Sequence, residues 1–225
     1  MDAAEALFIE RGYEGTSIRD IARRASSHLG TLHYFWGNKD ALFRAVCERR
    51  FDAIQAEQLR RLRVCRARLG RGEAVPLAEI VRALVEPPLH VAGASEAERH
   101  TVRLLYGRVL TEPSLVVMRI VREMFRESTA LFVELMRACN PGLSEDGFYW
   151  RLTCTLGAFI FTQSFGDRVA FAAGRRLGAV EWSHVADEVT GFIVRGFETR
   201  PAPSARPAGR RGRVRARAAG GRRHG

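Results

Sequence analysis

The sequence predicts an all-α chain. Apolar residues recur at three- and four-residue spacings, the signature of a helix with one buried face. Gly, Pro and Asn signals cut the chain into pieces of helical length, and no segment alternates convincingly with the period of two that a strand would need. The 225 residues, 46% apolar and 27% charged, suffice for one sizeable domain or two small ones. A collagen-like or wholly disordered chain is excluded.

The elements follow in order. Ala4, Leu7 and Phe8 form a helical stripe that Gly12 closes as a left-handed cap. Ser17 and Asp20 have capping-box spacing, and Ile18, Ile21, Ala22 and Ala25 supply the inner face of a second helix. Ser26-Ser27-His28 breaks that period. A third short helix runs from about Leu29 to Phe35, with Leu32 and Trp36 facing inward, until Gly37-Asn38 stops it. Lys39 then opens a long helix over 40–69, with Leu42, Phe43, Val46 and Phe51 as apolar positions and no breaker before Gly70. Further helices are expected at 77–86, 96–111, 115–139, 144–172 and 182–198, jointed at Pro76, Pro87-Pro88, Pro113 and Pro141-Gly142. Two short helices across a tight turn, behind a supporting helix, form a helix-turn-helix. The DNA major groove, about 12 Å wide, admits one such helix.

The residues narrow this further. The stretch Gly12-Tyr13-Glu14-Gly15-Thr16-Ser17-Ile18-Arg19-Asp20-Ile21-Ala22, followed by Gly30-Thr31-Leu32-His33-Tyr34-Phe35-Trp36-Gly37-Asn38-Lys39-Asp40-Ala41-Leu42, resembles the DNA-binding domain of the tetracycline-repressor (TetR) family. The resemblance implies that the third helix enters the major groove and that Lys39 sits on a phosphate. Composition speaks independently, since Lys39 is the single lysine among 36 basic residues. Thr31 and Tyr34 match recognition-helix positions that touch bases or backbone, and His33 replaces the customary tyrosine. Thr16 and Ser17 match the start of the second helix, where a helix N-terminus favours a phosphate. The candidate DNA-binding set is therefore Thr16, Ser17, Arg19, His28, Gly30, Thr31, His33, Tyr34 and Lys39. Bland alternatives stay open: Thr16 and Ser17 as caps only, His33 and Tyr34 as solvated surface. Ser26-Ser27-His28 departs from the family's usual Gly-Val-Ser, losing an expected cap and affecting the register of the third helix.

Charge is unevenly spread. Residues 200–225 hold nine arginines and no acid, so they carry +9 of the net +11, whereas residues 1–46 are neutral. The expected division is a DNA-binding domain at 1–46, a helical effector-binding and dimerisation domain at 47–199, and a disordered Arg-rich tail at 200–225 that adds phosphate attraction.

The resemblance implies that the larger part binds a small effector and dimerises through its last two long helices. Trp150, Cys154, Gly157, Ala158, Phe161 and Phe165 form a stripe suited to that interface, with intrachain core as the alternative. The runs Leu104–Pro113 and Pro141–Ser144, with Trp150-Arg151, are similar to an effector-domain subgroup associated with acyl-chain sensing. An apolar or aromatic effector is expected. The basic end of the long helix, at Arg60, Arg61, Arg63, Arg66 and Arg68, reads as a solvated face, and His90 and His100 as surface residues or effector contacts.

Enzyme signatures are lacking: G-x-S-x-G, H-E-x-x-H, Walker A and G-x-G-x-x-G do not occur. Cys47, Cys65, Cys139 and Cys154 form no C-x-x-C pair and read as buried free thiols, so no metal or cofactor is expected. Without a signal peptide or a membrane-length apolar run, a cytoplasmic location is expected, with no membrane partner. The function expected is a homodimeric, ligand-responsive regulator, a repressor on a palindromic double-stranded operator. The alternative is a nonspecific architectural binder that works through its basic tail.

Overall fold

The computed structural model describes residues 1–91, 93–175 and 180–198, and the Arg-rich tail expected at 200–225 lies outside the described residues. Among these residues there are ten helices and no strand. They are α1 (Asp2–Arg11), α2 (Ile18–Arg24), α3 (Leu29–Trp36), α4 (Lys39–Gly70), α5 (Leu77–Leu89), α6 (Glu96–Thr111), α7 (Leu115–Met124), α8 (Arg126–Cys139), α9 (Glu145–Ala172) and α10 (Trp182–Glu198). At 1.5 Å per residue α4 is about 48 Å long. It packs on α1 and α3 near its start and on α5, α7 and α8 beyond, and residues 46 and 47 both lie inside it.

The small end of the molecule closes around aromatic rings. Phe8 meets Phe43 edge-on at 5.0 Å between ring centroids, and Tyr13 meets Phe43 at 5.2 Å, with Ala4, Leu7, Ile21 and Leu42 filling the space between helices. Glu5 is buried among them. Its carboxylate accepts from Arg50 Nε at 2.6 Å and from Arg49 Nη2 at 2.9 Å, a clamp that ties α1 to α4. Burial alone would raise the Glu5 pKa, but the Arg50 and Arg49 bonds outweigh it and hold the carboxyl below its ordinary value.

The larger end has its own aromatic centre. Tyr106 of α6 lies 5.3 Å from Phe51, 5.7 Å from Phe125 and 6.1 Å from Phe159, so one ring joins α4, the α7–α8 joint and α9. Burial pushes the Tyr106 phenol up to about 12, with the nearby Gln58 amide acting in the opposite sense.

Several boundaries differ from the sequence reading. The helix expected at 77–86 continues through Pro87 and Pro88 to Leu89. Prolines lack the N–H that would bond the carbonyl four residues earlier. Gln58, wholly buried on α4, supplies the missing donor for one of them: its Nε2 donates to the Leu84 carbonyl at 2.9 Å. The helix expected at 115–139 is two helices, interrupted at Phe125 (φ −94°, ψ 7°). The Phe125 ring is buried against Phe51 and Tyr106, and its carbonyl accepts from both the Thr129 N–H (2.9 Å) and the Ser128 hydroxyl (3.2 Å). Helix α9 kinks at Phe165 (φ −142°, ψ 15°). Gly12 has the positive φ expected of a cap (+73°), but at ψ −179° the chain leaves extended rather than left-handed. Ala25 is exposed at the end of α2 instead of facing inward, and of the four thiols expected to be buried Cys47 and Cys65 are, Cys139 is half-buried and Cys154 is exposed.

Candidate nucleic-acid interface and interior cavity

Helix α3 is anchored along one side and bare along the other. Leu32 and Trp36 are half-buried against the core, whereas Gly30, Thr31, His33, Tyr34 and Phe35 are exposed, Tyr34 at 85% and Phe35 at 68%. The Tyr34 and Phe35 rings meet edge-on at 5.2 Å, so two aromatic rings stand in solvent without a core to cover them. His28 occupies the N-cap but makes no side-chain cap bond, in keeping with the loss of the usual serine there. At the other end of the helix the His33 Nδ1 donates to the Gly37 carbonyl at 3.0 Å. Its Nε2 stays free to meet a ligand.

Around α3 the expected contacts separate into two groups. Ser17 is exposed at the N-cap of α2 and completes the capping box with Asp20, and Arg19 is exposed on the same helix. Thr16 departs from expectation, since it is buried. Its hydroxyl is committed to α1, 2.7 Å from the Gly12 carbonyl and 3.2 Å from that of Leu7, and cannot also serve a phosphate. Lys39 is half-buried at the first turn of α4. Its Nζ donates to the Tyr13 carbonyl at 3.0 Å and lies 4.0 Å above the Tyr13 ring, which leaves two of its three N–H groups for another acceptor.

The larger end holds a cavity of about 440 Å³. Its buried lining is Leu84, Tyr106, Phe125, Ser128, Phe132, Leu152 and Phe159, from α5, α6, the α7–α8 joint, α8 and α9. Its exposed rim is Arg122, Arg126, Thr129, Ala130 and Leu156. His90 and His100 are exposed and are not among its lining.

The cavity and the α3 end are mechanically joined at the α6–α7 corner. The Tyr13 N–H donates to Glu112 Oε2 at 3.3 Å, and the Ser114 hydroxyl donates to Glu14 at 2.6 Å. Arg44 of α4 pairs with Glu123 of α7. Gly12 suits this corner: its φ of +73° is a conformation that favours glycine, and a Cβ there would press on the Arg108 guanidinium and the Glu112 carboxylate. The pairing of these residues has no local sequence signal, since the partners lie 79 to 100 positions apart.

Helix α9 carries two distinct faces. Phe148, Leu152, Thr155, Phe159 and Gln163 are its buried side. Of the stripe read from sequence, Trp150, Cys154, Gly157 and Phe161 are exposed, Trp150 at 69% and Phe161 at 46%, while Ala158 and Phe165 are half-buried. Phe192 of α10 is 62% exposed beside a groove that includes Ala158, Thr162 and Val185. The basic end of α4 is largely self-neutralised, with Arg60 and Arg61 on Glu57, Arg63 on Glu127, and Arg68 on Glu73 and Glu79. The Arg60 and Arg61 guanidinium groups hold the Glu57 carboxyl down at about 2.

Among the described residues no helix is long and apolar enough to cross a membrane, and no three His, Cys, Asp or Glu side chains gather as metal ligands.

Comparison with known proteins agrees with this architecture. Residues 1–46 match the family of bacterial regulatory proteins called tetR, and residues 82–196 match the tetracyclin repressor-like C-terminal domain. The HTH-type transcriptional repressor ComR of Escherichia coli K12 is 39% identical over 57 residues, which are 25% of this chain and 27% of that repressor. The match thus spans about a quarter of the relative's length. A TetR-family regulator from Bordetella parapertussis shares the fold at a TM-score of 0.53 and 19% identity, over 90% of this chain and 95% of that one. The regulator FadR of Bacillus subtilis, solved in complex with stearoyl-CoA, does so at 0.50 and 13%, over 87% and 96%. With both of its parts matched, and the C-terminal one over half its length, the chain belongs to the TetR family of bacterial transcriptional regulators.

Proposed function

We propose that the chain is a transcriptional repressor that binds a palindromic operator as a homodimer and is released by a small apolar effector. The observation that carries the reading is α3, held by Leu32 and Trp36 with Thr31, His33 and Tyr34 presented outward. On a two-fold dimer, paired recognition helices reach half-sites one helical turn apart, about 34–36 Å, or a multiple of that. In this reading Ser17, Arg19 and the two remaining N–H groups of Lys39 serve phosphates, and Gly30, which has open space around it, lets the backbone approach. The exposed side of α9, with Phe192 of α10, is the surface a second copy covers, since a row of large apolar side chains in water marks an interaction site.

Cavity occupancy reaches α3 through the α6–α7 corner. Val121 and Arg122 line the cavity on the helix whose neighbouring Glu123 pairs with Arg44 and whose N-cap, Ser114, bonds Glu14. An effector shifts the spacing of the recognition helices only by its differential affinity for the two arrangements. The cavity is apolar enough for an acyl chain, the kind of ligand that the B. subtilis FadR holds on this fold. The protein acts in the cytoplasm, on DNA.

Competition with random duplex DNA tests the reading. Binding to the selected operator should survive roughly a 10³-fold excess of random competitor. If random DNA competes equally, the protein is an architectural binder instead. In the same assay, a chain lacking residues 200–225 should keep its preference while its log–log salt dependence flattens by about 0.9 for each phosphate that the tail had neutralised. An unchanged slope would remove the tail from the mechanism.

A further inference from the structure

Ion pairing along α7 and α8 is sorted by face. Arg119, Glu123 and Glu127 follow one another at four-residue intervals, and all three turn to α4, pairing with Asp40, Arg44 and Arg63. One position away, Arg122 and Arg126 turn to the cavity rim, and among the described residues neither pairs with a carboxylate. They contrast with Arg60, Arg61, Arg63, Arg68, Arg82, Arg99 and Arg103, which all have acidic partners; among the described residues Arg66 and Arg137 also lack one, but neither lines the cavity. With Thr129 they put two cations and a hydroxyl on one edge of a mostly apolar chamber, whose other polar lining residues are Ser128, bonded to the Phe125 carbonyl, and Tyr106. No carboxylate belongs to the chamber's lining.

We infer that the effector is an anionic amphiphile, whose apolar body fills the chamber between Phe125, Phe132 and Phe159 and whose carboxylate or phosphate head is held at the rim by Arg122 and Arg126. This rests on the cavity being the effector site. An apolar body is matched by the phenyl and leucyl walls. The head is matched by guanidinium groups, which bind such oxyanions in charge-assisted, often bidentate hydrogen bonds. Arg122 lies in the last turn of α7 and Arg126 opens α8, so the two cations flank the Phe125 interruption on the cavity side. Helix α7 also reaches the α3 end through Glu123 and Arg44, so a head bound there pulls on the element that positions α3.

The test is a titration of the full chain with decanoate, decyl phosphate, decanol and decyltrimethylammonium, followed calorimetrically. One or both anions should bind about 10-fold or more tightly than decanol, and the ammonium should bind least; the ratio of the two anions tells which head is preferred. In the R122Q/R126Q chain the anions should fall to the affinity of decanol, while decanol binds as before. Equal binding of anion and alcohol by the natural chain would overturn the head-group assignment and leave the cavity reading standing. An anion preference that survives R122Q/R126Q would overturn the assignment to these residues. Failure of all four probes to bind would overturn both readings. Circular dichroism of the variant guards against loss of fold.

Discussion

Replacing Phe51 with Ala should cost about 3–5 kcal/mol of folding stability, the usual range for removing a buried Phe. Phe51 is fully buried on α4, and its ring touches Tyr106 at 5.3 Å and Phe125 at 6.0 Å between centroids. One of those rings is on α6 and the other at the α7–α8 joint, and they also face each other, so the hole left at position 51 cannot close by a shift of one side chain. Phe125 sits at the α7–α8 interruption, and its loosening should also spread the cavity it lines. Denaturant unfolding at one fixed protein concentration measures the loss, which keeps any association constant between the two chains. A change below about 1 kcal/mol would mean that the centre of the larger domain is not where these rings meet.

The second large effect is on DNA rather than on stability. Tyr34→Ala should weaken binding to the selected operator by roughly 10- to 100-fold, the equivalent of removing one or two interactions of about 1–3 kcal/mol each. The same change should alter stability by no more than about 0.5 kcal/mol, because Tyr34 is 85% exposed and supports no core. The two measurements separate recognition from folding. Thr16→Ala should show the opposite balance, since its hydroxyl bonds α1 from a buried position.

Features that depend on local spacing are legible in the sequence. The apolar stripes of α1 to α3, the capping box at Ser17 and Asp20, and the inward Leu32 and Trp36 all follow from residues within a turn or two of one another. The sorting of α9 into exposed and buried faces is half visible, because one stripe read from sequence leaves open what would cover it. What cannot be read locally is tertiary. Pro87-Pro88 reads as a stop because the donor that serves the freed Leu84 carbonyl comes from Gln58, 26 residues earlier. The break at Phe125 carries no Pro or Gly and answers to the aromatic cluster around it. Thr16 has the residue type of a phosphate contact, and only the fold shows that its hydroxyl points into the molecule. Arg122 and Arg126 are inconspicuous in a chain so rich in arginine, and only the pairing of their neighbours sets them apart.

The charge pattern is consistent with this division. Residues 1–46 carry six basic and six acidic side chains, so the reading end attracts DNA weakly by charge alone. In the proposed reading, specificity rests on shape and hydrogen bonding at α3, and the nine arginines of residues 200–225 supply the nonspecific attraction that the salt-dependence measurement tests.

Selection of binding sites by the purified full chain from a pool of random duplexes tests the central claim most directly. The account expects the enriched sequences to be palindromes, with half-sites about 34–36 Å apart or a multiple of it, and expects Tyr34→Ala to reduce the enrichment sharply. Enrichment of no shared sequence, or of one indifferent to Tyr34, would contradict it.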